Sequence, residues 1–169
     1  MLLNAVLFQA GWLLCVMERG PLALLASALI LLVHGRYVTR NRREWLFILA
    51  LGSVGIALDF LFMKSGVFHI DGHDFPPPWL MLVWLLFAST LNHSLRWLDQ
   101  RLWLAAVLGA IAAPLSYLAG ARLGALQIEL HMLPVLGAAW AALLPLAFLC
   151  NRRLLLTQPP TQTTGSTTP

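Results

Sequence analysis

From Leu2 to Cys150 the chain is a succession of apolar runs, and nothing else constrains its fold so strongly. The runs cover residues 2–17, 21–35, 45–63, 78–95, 102–119 and 132–150. A helix crosses a bilayer with about 20 residues, within a range of roughly 17–25. The last four runs have that length. The first two are shorter and share only Glu18, Arg19 and Gly20 as a turn. Gly20-Pro21 combines a helix stop with a helix start, so a tight hairpin of thin spans is expected there. Only 11% of the residues are charged, against about 25% in soluble domains, which excludes an ordinary soluble fold. The fold class expected is all-α: a polytopic membrane protein, a bundle of six transmembrane helices.

Charge sets the orientation. Arg36, Arg40, Arg42, Arg43, Arg96, Arg101, Arg152 and Arg153 follow the even-numbered runs, whereas only Arg19, Lys64 and Arg122 follow the odd ones. The basic excess marks the cytoplasmic side, so six spans with both termini in the cytoplasm are expected. These basic residues are not interleaved with exposed aromatics, and nucleic acid is not an expected partner. No Lys or Arg precedes the first run, which reads as a retained helix rather than a cleaved signal. Residues 1–153 form one transmembrane domain, and 154–169 are expected to be a disordered polar tail, wholly polar from Thr157.

Small residues four apart, Ser53 with Ala57, Gly109 with Ala113 and Gly137 with Ala141, each share one helix face and permit close helix contact. Trp45, Trp79, Trp97 and Trp103 fall near run ends, where indole rings favour the membrane interface.

A polar side chain inside a span is costly unless paired, which makes the intramembrane polar residues the candidates for function. Ser89, Asn92, His93 and Arg96 stand at i, i+3, i+4 and i+7, one stripe of a continuous fourth helix. Asn4 lies at a depth comparable to Asn92 and His93, with Gln9 nearer the middle, so these four can form an inner polar layer, and His34 ends the second run on that side. Such a layer serves either as a substrate or proton site or simply as interhelical hydrogen bonding. Asn92 is expected to bond Asn4, Gln9 or a neighbouring carbonyl. Toward the outer side, Asp59 is the one acid well inside a span. Fourteen residues from Trp45 place it about 21 Å along the third helix, and fifteen from Leu102 place Tyr117 about 22 Å along the fifth. Asp59 is therefore expected to pair with Tyr117 or Ser116, beside Pro114, which should kink the fifth helix.

His69, Asp71, His73 and Asp74 in the outer loop are residue types that bind divalent ions, but their spacing matches no metal motif and reads as a solvated loop. Glu129 and His131, two apart, read the same way. No residue is assigned a catalytic role, and neither a metal nor a cofactor is expected. Cys15 and Cys150 fall at opposite ends of the bundle, too far apart for a disulfide.

Asn4 with FQAGW at 8–12, ALDFL at 57–61, GVF at 66–68, PPWL at 77–80, WLLFASTLNHSLRWL at 84–98, PLSYLAGARLGA at 114–125, and Trp140 with Pro145 together resemble a small bacterial inner-membrane family, domain of unknown function 2878. The resemblance covers nearly everything before the tail. It implies a multi-pass protein of the bacterial inner membrane and an association with lipid-modifying enzymes, and it implies no activity or cofactor. His69, His73 and the tail match nothing in it. The leading expectation is an accessory or scaffold protein in the lipid bilayer, linked to lipid or fatty-acyl modification by a membrane enzyme. The alternatives are a small transporter with a polar site along the fourth helix, or an intramembrane enzyme using Asp59 or His93.

Reporter fusions after Arg40, Ile70, Asp99, Arg122 and Leu155 test the topology. The charge bias predicts cytoplasmic signals at Arg40, Asp99 and Leu155 and external signals at Ile70 and Arg122; an external signal at Arg40 or Leu155 contradicts it.

Overall fold

A computed structural model describes residues 2–156. Among them are six α-helices: α1 (Leu2–Glu18), α2 (Pro21–Val33), α3 (Arg42–Lys64), α4 (Pro78–Ala88), α5 (Leu102–Arg122) and α6 (Leu133–Leu156). Two short strands, β1 (Phe68–His69) and β2 (Gln127–Ile128), pair antiparallel with Phe68 opposite Ile128. The helices alternate in direction, so the starts of α1, α3 and α5 gather with the ends of α2, α4 and α6 at one arginine-rich end. The strands lie at the opposite end.

Local chemistry explains the helix ends. The turn between α1 and α2 places Arg19 at φ 54, a left-handed conformation that suits a chain reversal. Its guanidinium donates to the Gly124 carbonyl, and Pro21 opens α2. Beyond Val33 the backbone continues as a π turn, His34–Val38. Asn41 caps α3 by accepting from the Arg43 N–H at 2.9 Å. Pro77 and Pro78 start α4, where a missing N–H costs nothing.

Four segments are long and apolar enough to cross a membrane: Pro21–Val38, Arg42–Lys64, Leu102–Arg122 and Leu130–Leu154. The second run, expected to be thin, reaches spanning length through its π turn. The first run, also expected to be thin, stays short, with 17 residues in α1, and the fourth run, expected to span over 78–95, is shorter still. Its helix is 11 residues and ends at Ala88. The Ser89 hydroxyl donates to the Leu86 carbonyl at 2.7 Å and Thr90 Oγ1 to the Phe87 carbonyl at 2.6 Å, bonds that compete with continuation of the helix. Tighter turns follow, with Thr90 N–H on Phe87 and His93 N–H on Thr90. Ser89, Asn92, His93 and Arg96 therefore do not form a helical stripe. Residues 154–156, expected in the tail, continue α6; the rest of that expected tail, 157–169, lies outside the described residues.

α4 is the inner helix, packed against α1, α2 and α3, while α5 and α6 form a tightly packed pair that joins the rest through α3. Two apolar cores result. One, near the strands, holds Phe62, Phe68, Trp79, Trp84 and Trp140; the other, near the arginine-rich end, holds Phe47, Ile48, Leu98 and Phe148. The outer faces carry exposed Leu25, Leu29, Leu49, Ile111, Leu115 and Leu146. Water would not tolerate such a surface, and hydrocarbon does. Trp97 and Trp103 are exposed as an interfacial position requires, but Trp79 is buried in the core. Cys15 is buried beside Ser27 Oγ at 3.1 Å, Cys150 is exposed, and both are free thiols.

Of the small-residue pairs, Gly109 and Gly137 mark the α5–α6 contact. A Cβ at Gly109 would lie 2.5 Å from the Trp140 carbonyl oxygen, and one at Gly137 would lie 2.9 Å from that of Ala110. Ser53 and Ala57 instead face outward, and the close approach on α3 belongs to Gly52 and Gly55. Gly109→Ala should cost about 1–3 kcal/mol, because the opposing atom is backbone and cannot swing aside. Gly120→Ala, whose new Cβ would meet nothing nearer than Leu126 at 3.7 Å, should be close to neutral. Thermal unfolding of both variants in detergent checks the contrast.

Candidate functional site

Asp59 sits on α3 and is fully buried. The Tyr117 hydroxyl on α5 donates to Oδ1, and Trp84 Nε1 on α4 donates to Oδ2 at 2.6 Å. The sequence-based pairing of Asp59 with Tyr117 is present. Trp84 is the partner that depth counting missed, and Ser116 makes no bond to the carboxylate. α3 and α5 share almost no direct packing, so these two side chains carry the link between them. Gly55, one turn before Asp59, clears the space that the Trp84 indole fills. Trp84 then stacks on Trp140 of α6 at 4.9 Å and an interplanar angle of 12°.

The far faces of these aromatics line a cavity of about 540 Å³ between α1 and α4 on one side and α5 and α6 on the other. It exists because α1 and α4 do not pack against α5. Trp12, Trp84, Ala113, Tyr117 and Trp140 are among its walls, and Leu98 and Leu126 lie toward its two ends. Gln9, Ser116 and the Tyr117 hydroxyl bring its few polar atoms. Gln9 thus belongs to the cavity rather than to an inner polar layer. Leu115 and Ala112 on its α5 rim are exposed, so the cavity opens sideways, toward the apolar surface of the bundle.

The expected inner polar layer separates into three clusters at the arginine-rich end. Asn4 donates to the Ser89 carbonyl at 3.3 Å and accepts from the Ser94 hydroxyl at 2.8 Å, tying α1 to the turns after α4. Asn92 Oδ1 accepts from Asn151 Nδ2 on α6 at 2.5 Å, so its partner is neither Asn4 nor Gln9. Ending α4 at Ala88 rotates Asn92 away from α1. Nearby, Arg152 Nε donates to Asp99 at 2.7 Å. In the third cluster His93 meets Glu44 and His34. Glu44 Oε1 stands 2.6 Å from His93 Nε2 and 3.4 Å from His34 Nε2.

Glu44 escaped the sequence reading altogether. It stands three residues after the N-cap Asn41, the place of a capping-box acid, amid arginines that read only as a loop. Its carboxylate faces the two imidazoles, whose meeting depends on the π turn at His34 and the turns before His93.

At the opposite end the polar loop closes on itself. Gln127 Nε2 donates to both Asp71 carboxylate oxygens at 3.0 Å, and its Oε1 meets His69 Nε2 at 2.9 Å. His73 Nδ1 lies 2.9 Å from the Asp71 carbonyl, and Asp74 lies 3.8 Å from Lys64. These groups are exposed, as are Glu129 and His131, 4.0 Å apart.

Fold and site together define an all-helical protein with four helices long and apolar enough to cross a membrane, two shorter apolar helices beside them, and a lateral apolar cavity walled by aromatic rings. The chain belongs to the family described as Protein of unknown function (DUF2878), whose model matches residues 1–146. No curated protein and no solved structure matches it.

Asp59→Leu should cost more than the ~0.6 kcal/mol average of an intramembrane hydrogen bond. It leaves the Trp84 and Tyr117 donors buried without an acceptor, at about 1–3 kcal/mol each. Asp59→Asn keeps the shape and one acceptor and should retain folded yield. Thermal unfolding in detergent, beside Tyr117→Phe, measures both.

Proposed function

We propose that this protein is an accessory component of the bacterial inner membrane that draws a single long apolar chain, an acyl chain, out of the bilayer into the cavity between α1, α4 and α5. The observation that carries this reading is the cavity itself. Pockets that hold small ligands run from about 300 to 1,000 Å³, with mostly hydrophobic and aromatic walls and a few polar groups that orient the ligand. At about 540 Å³ this one lies within that range, and its sideways opening suits a ligand arriving from hydrocarbon. The buried Asp59–Trp84–Tyr117 link holds the aromatic wall rigid, which lowers the entropy cost of binding.

Within the proposal, all six helices cross the membrane with both termini in the cytoplasm, α4 completing its crossing through the turns of residues 89–98. The arginine-rich end would face the cytoplasm, where basic residues concentrate. The proposed partner is a lipid-modifying membrane enzyme that acts on the held chain. A transporter would need polar groups between the two ends of the bundle, and the space between them is occupied by this apolar cavity.

Photolabelling tests the reading. Purified protein in lipid nanodiscs is exposed to a photoactivatable long-chain fatty acid, and the labelled residues are mapped. Labels on Trp12, Val83, Ala113 or Trp140, displaced by unlabelled fatty acid and reduced in Ala112→Trp, are expected. Labels confined to outward residues such as Leu25 and Leu146 would contradict it.

A further inference from the structure

His34, Glu44 and His93 converge at the arginine-rich end, away from the cavity walls, and the geometry points to a site for one divalent transition-metal ion, of which Zn²⁺ is the type. Each residue presents one ligand atom, and the three atoms lie within 4.8 Å of one another. Two imidazole nitrogens and one carboxylate oxygen form a donor set shared by catalytic zinc and non-haem iron sites. Around a tetrahedral ion with bonds of about 2.0–2.1 Å, neighbouring donors stand about 3.3 Å apart. The His34–Glu44 separation of 3.4 Å already has that value. The His93–Glu44 contact, at 2.6 Å, opens by about 0.7 Å when an ion takes the place of the hydrogen bond.

The hydrogen-bond pattern is a second and independent sign. Glu44 directs the same oxygen, Oε1, at both imidazoles. His93 takes the hydrogen bond, and His34 Nε2, on a residue only 2% exposed, is left buried without a hydrogen-bond partner. A buried nitrogen in that condition costs free energy. One cation satisfies all three donors at once.

The backbone adds a third. His34 opens a π turn, a distortion that recurs at functional sites. His93 comes from the turns after α4, and Glu44 leaves its capping position. Two neighbouring arginines are engaged elsewhere: Arg43 donates to the Leu154 carbonyl at 3.4 Å, and the Arg36 guanidinium lies 5.3 Å over the Tyr37 ring. The His93 side chain is 21% exposed, so the ion has a route in. Three protein ligands leave a fourth position for water or an anionic group, the pattern of catalytic rather than structural zinc.

The test uses the full-length protein in detergent, carrying no polyhistidine tag, titrated with Zn²⁺ and with Co²⁺ as a spectroscopic probe. One ion per chain and a tetrahedral Co²⁺ visible spectrum are expected. Losing an outer-shell partner already costs about 10- to 100-fold in metal affinity, so Glu44→Gln and His93→Ala should each weaken binding at least tenfold. His69→Ala with His73→Ala, at the opposite end, should leave it unchanged. His93 is partly exposed, so its variant remains informative if Glu44→Gln does not fold. Absence of stoichiometric binding by the wild-type chain, or unchanged binding in folded His93→Ala, overturns the proposal.

Discussion

One indole ring holds the helices in place. Trp84 fills the space left by Gly55 on α3, donates to the buried carboxylate of Asp59, and stacks on Trp140 of α6. Tyr117 brings α5 to the other oxygen of the same carboxylate. Four helices thus meet at a short chain of contacts. In hydrocarbon no water can take over a lost partner, so a buried acid with two fixed donors is a strong constraint on helix position. The cavity follows from it. The link ties α5 to α3 by side-chain reach rather than by helix packing, and the space between α5 and the helices α1 and α4 stays open.

The two ends of the bundle solve a different problem. Where helices stop, backbone groups and polar side chains must be satisfied inside the protein. At one end Gln127, Asp71 and His69 form a small exposed network on a two-residue strand pair. At the other, Asn4, Ser94, Asn92 and Asn151 bind the tapering end of α4 to its neighbours. The early end of α4 makes room for these bonds and for the approach of His93 to Glu44. The polar clusters at this end are therefore a consequence of one short helix.

Much of this was legible in the sequence, for physical reasons. Apolar length gave the six helices, because each apolar run is one. Counting rise per residue from two inner ends placed Asp59 beside Tyr117, because both lie on long, continuous helices, α5 running through Pro114 without a break. The same counting failed from Ser89 onward. An apolar run does not reveal that two hydroxyls will bond back to their own helix and end it. Trp84 gave no signal of its role, since its N–H partner lies on another helix 25 residues away. Glu44 was hidden by its neighbours: an acid among arginines after an N-cap looks like local capping. The only signal for it was that His34 and His93 were both placed at that depth with no acid assigned to them.

The most direct measurement is a crystal structure of the protein grown in a lipid mesophase. The account predicts an elongated apolar density between Trp84 and Gly120, with Asp59 still accepting from both Trp84 and Tyr117. A structure in which α1 and α4 close against α5, leaving no space beside Trp140, would contradict it.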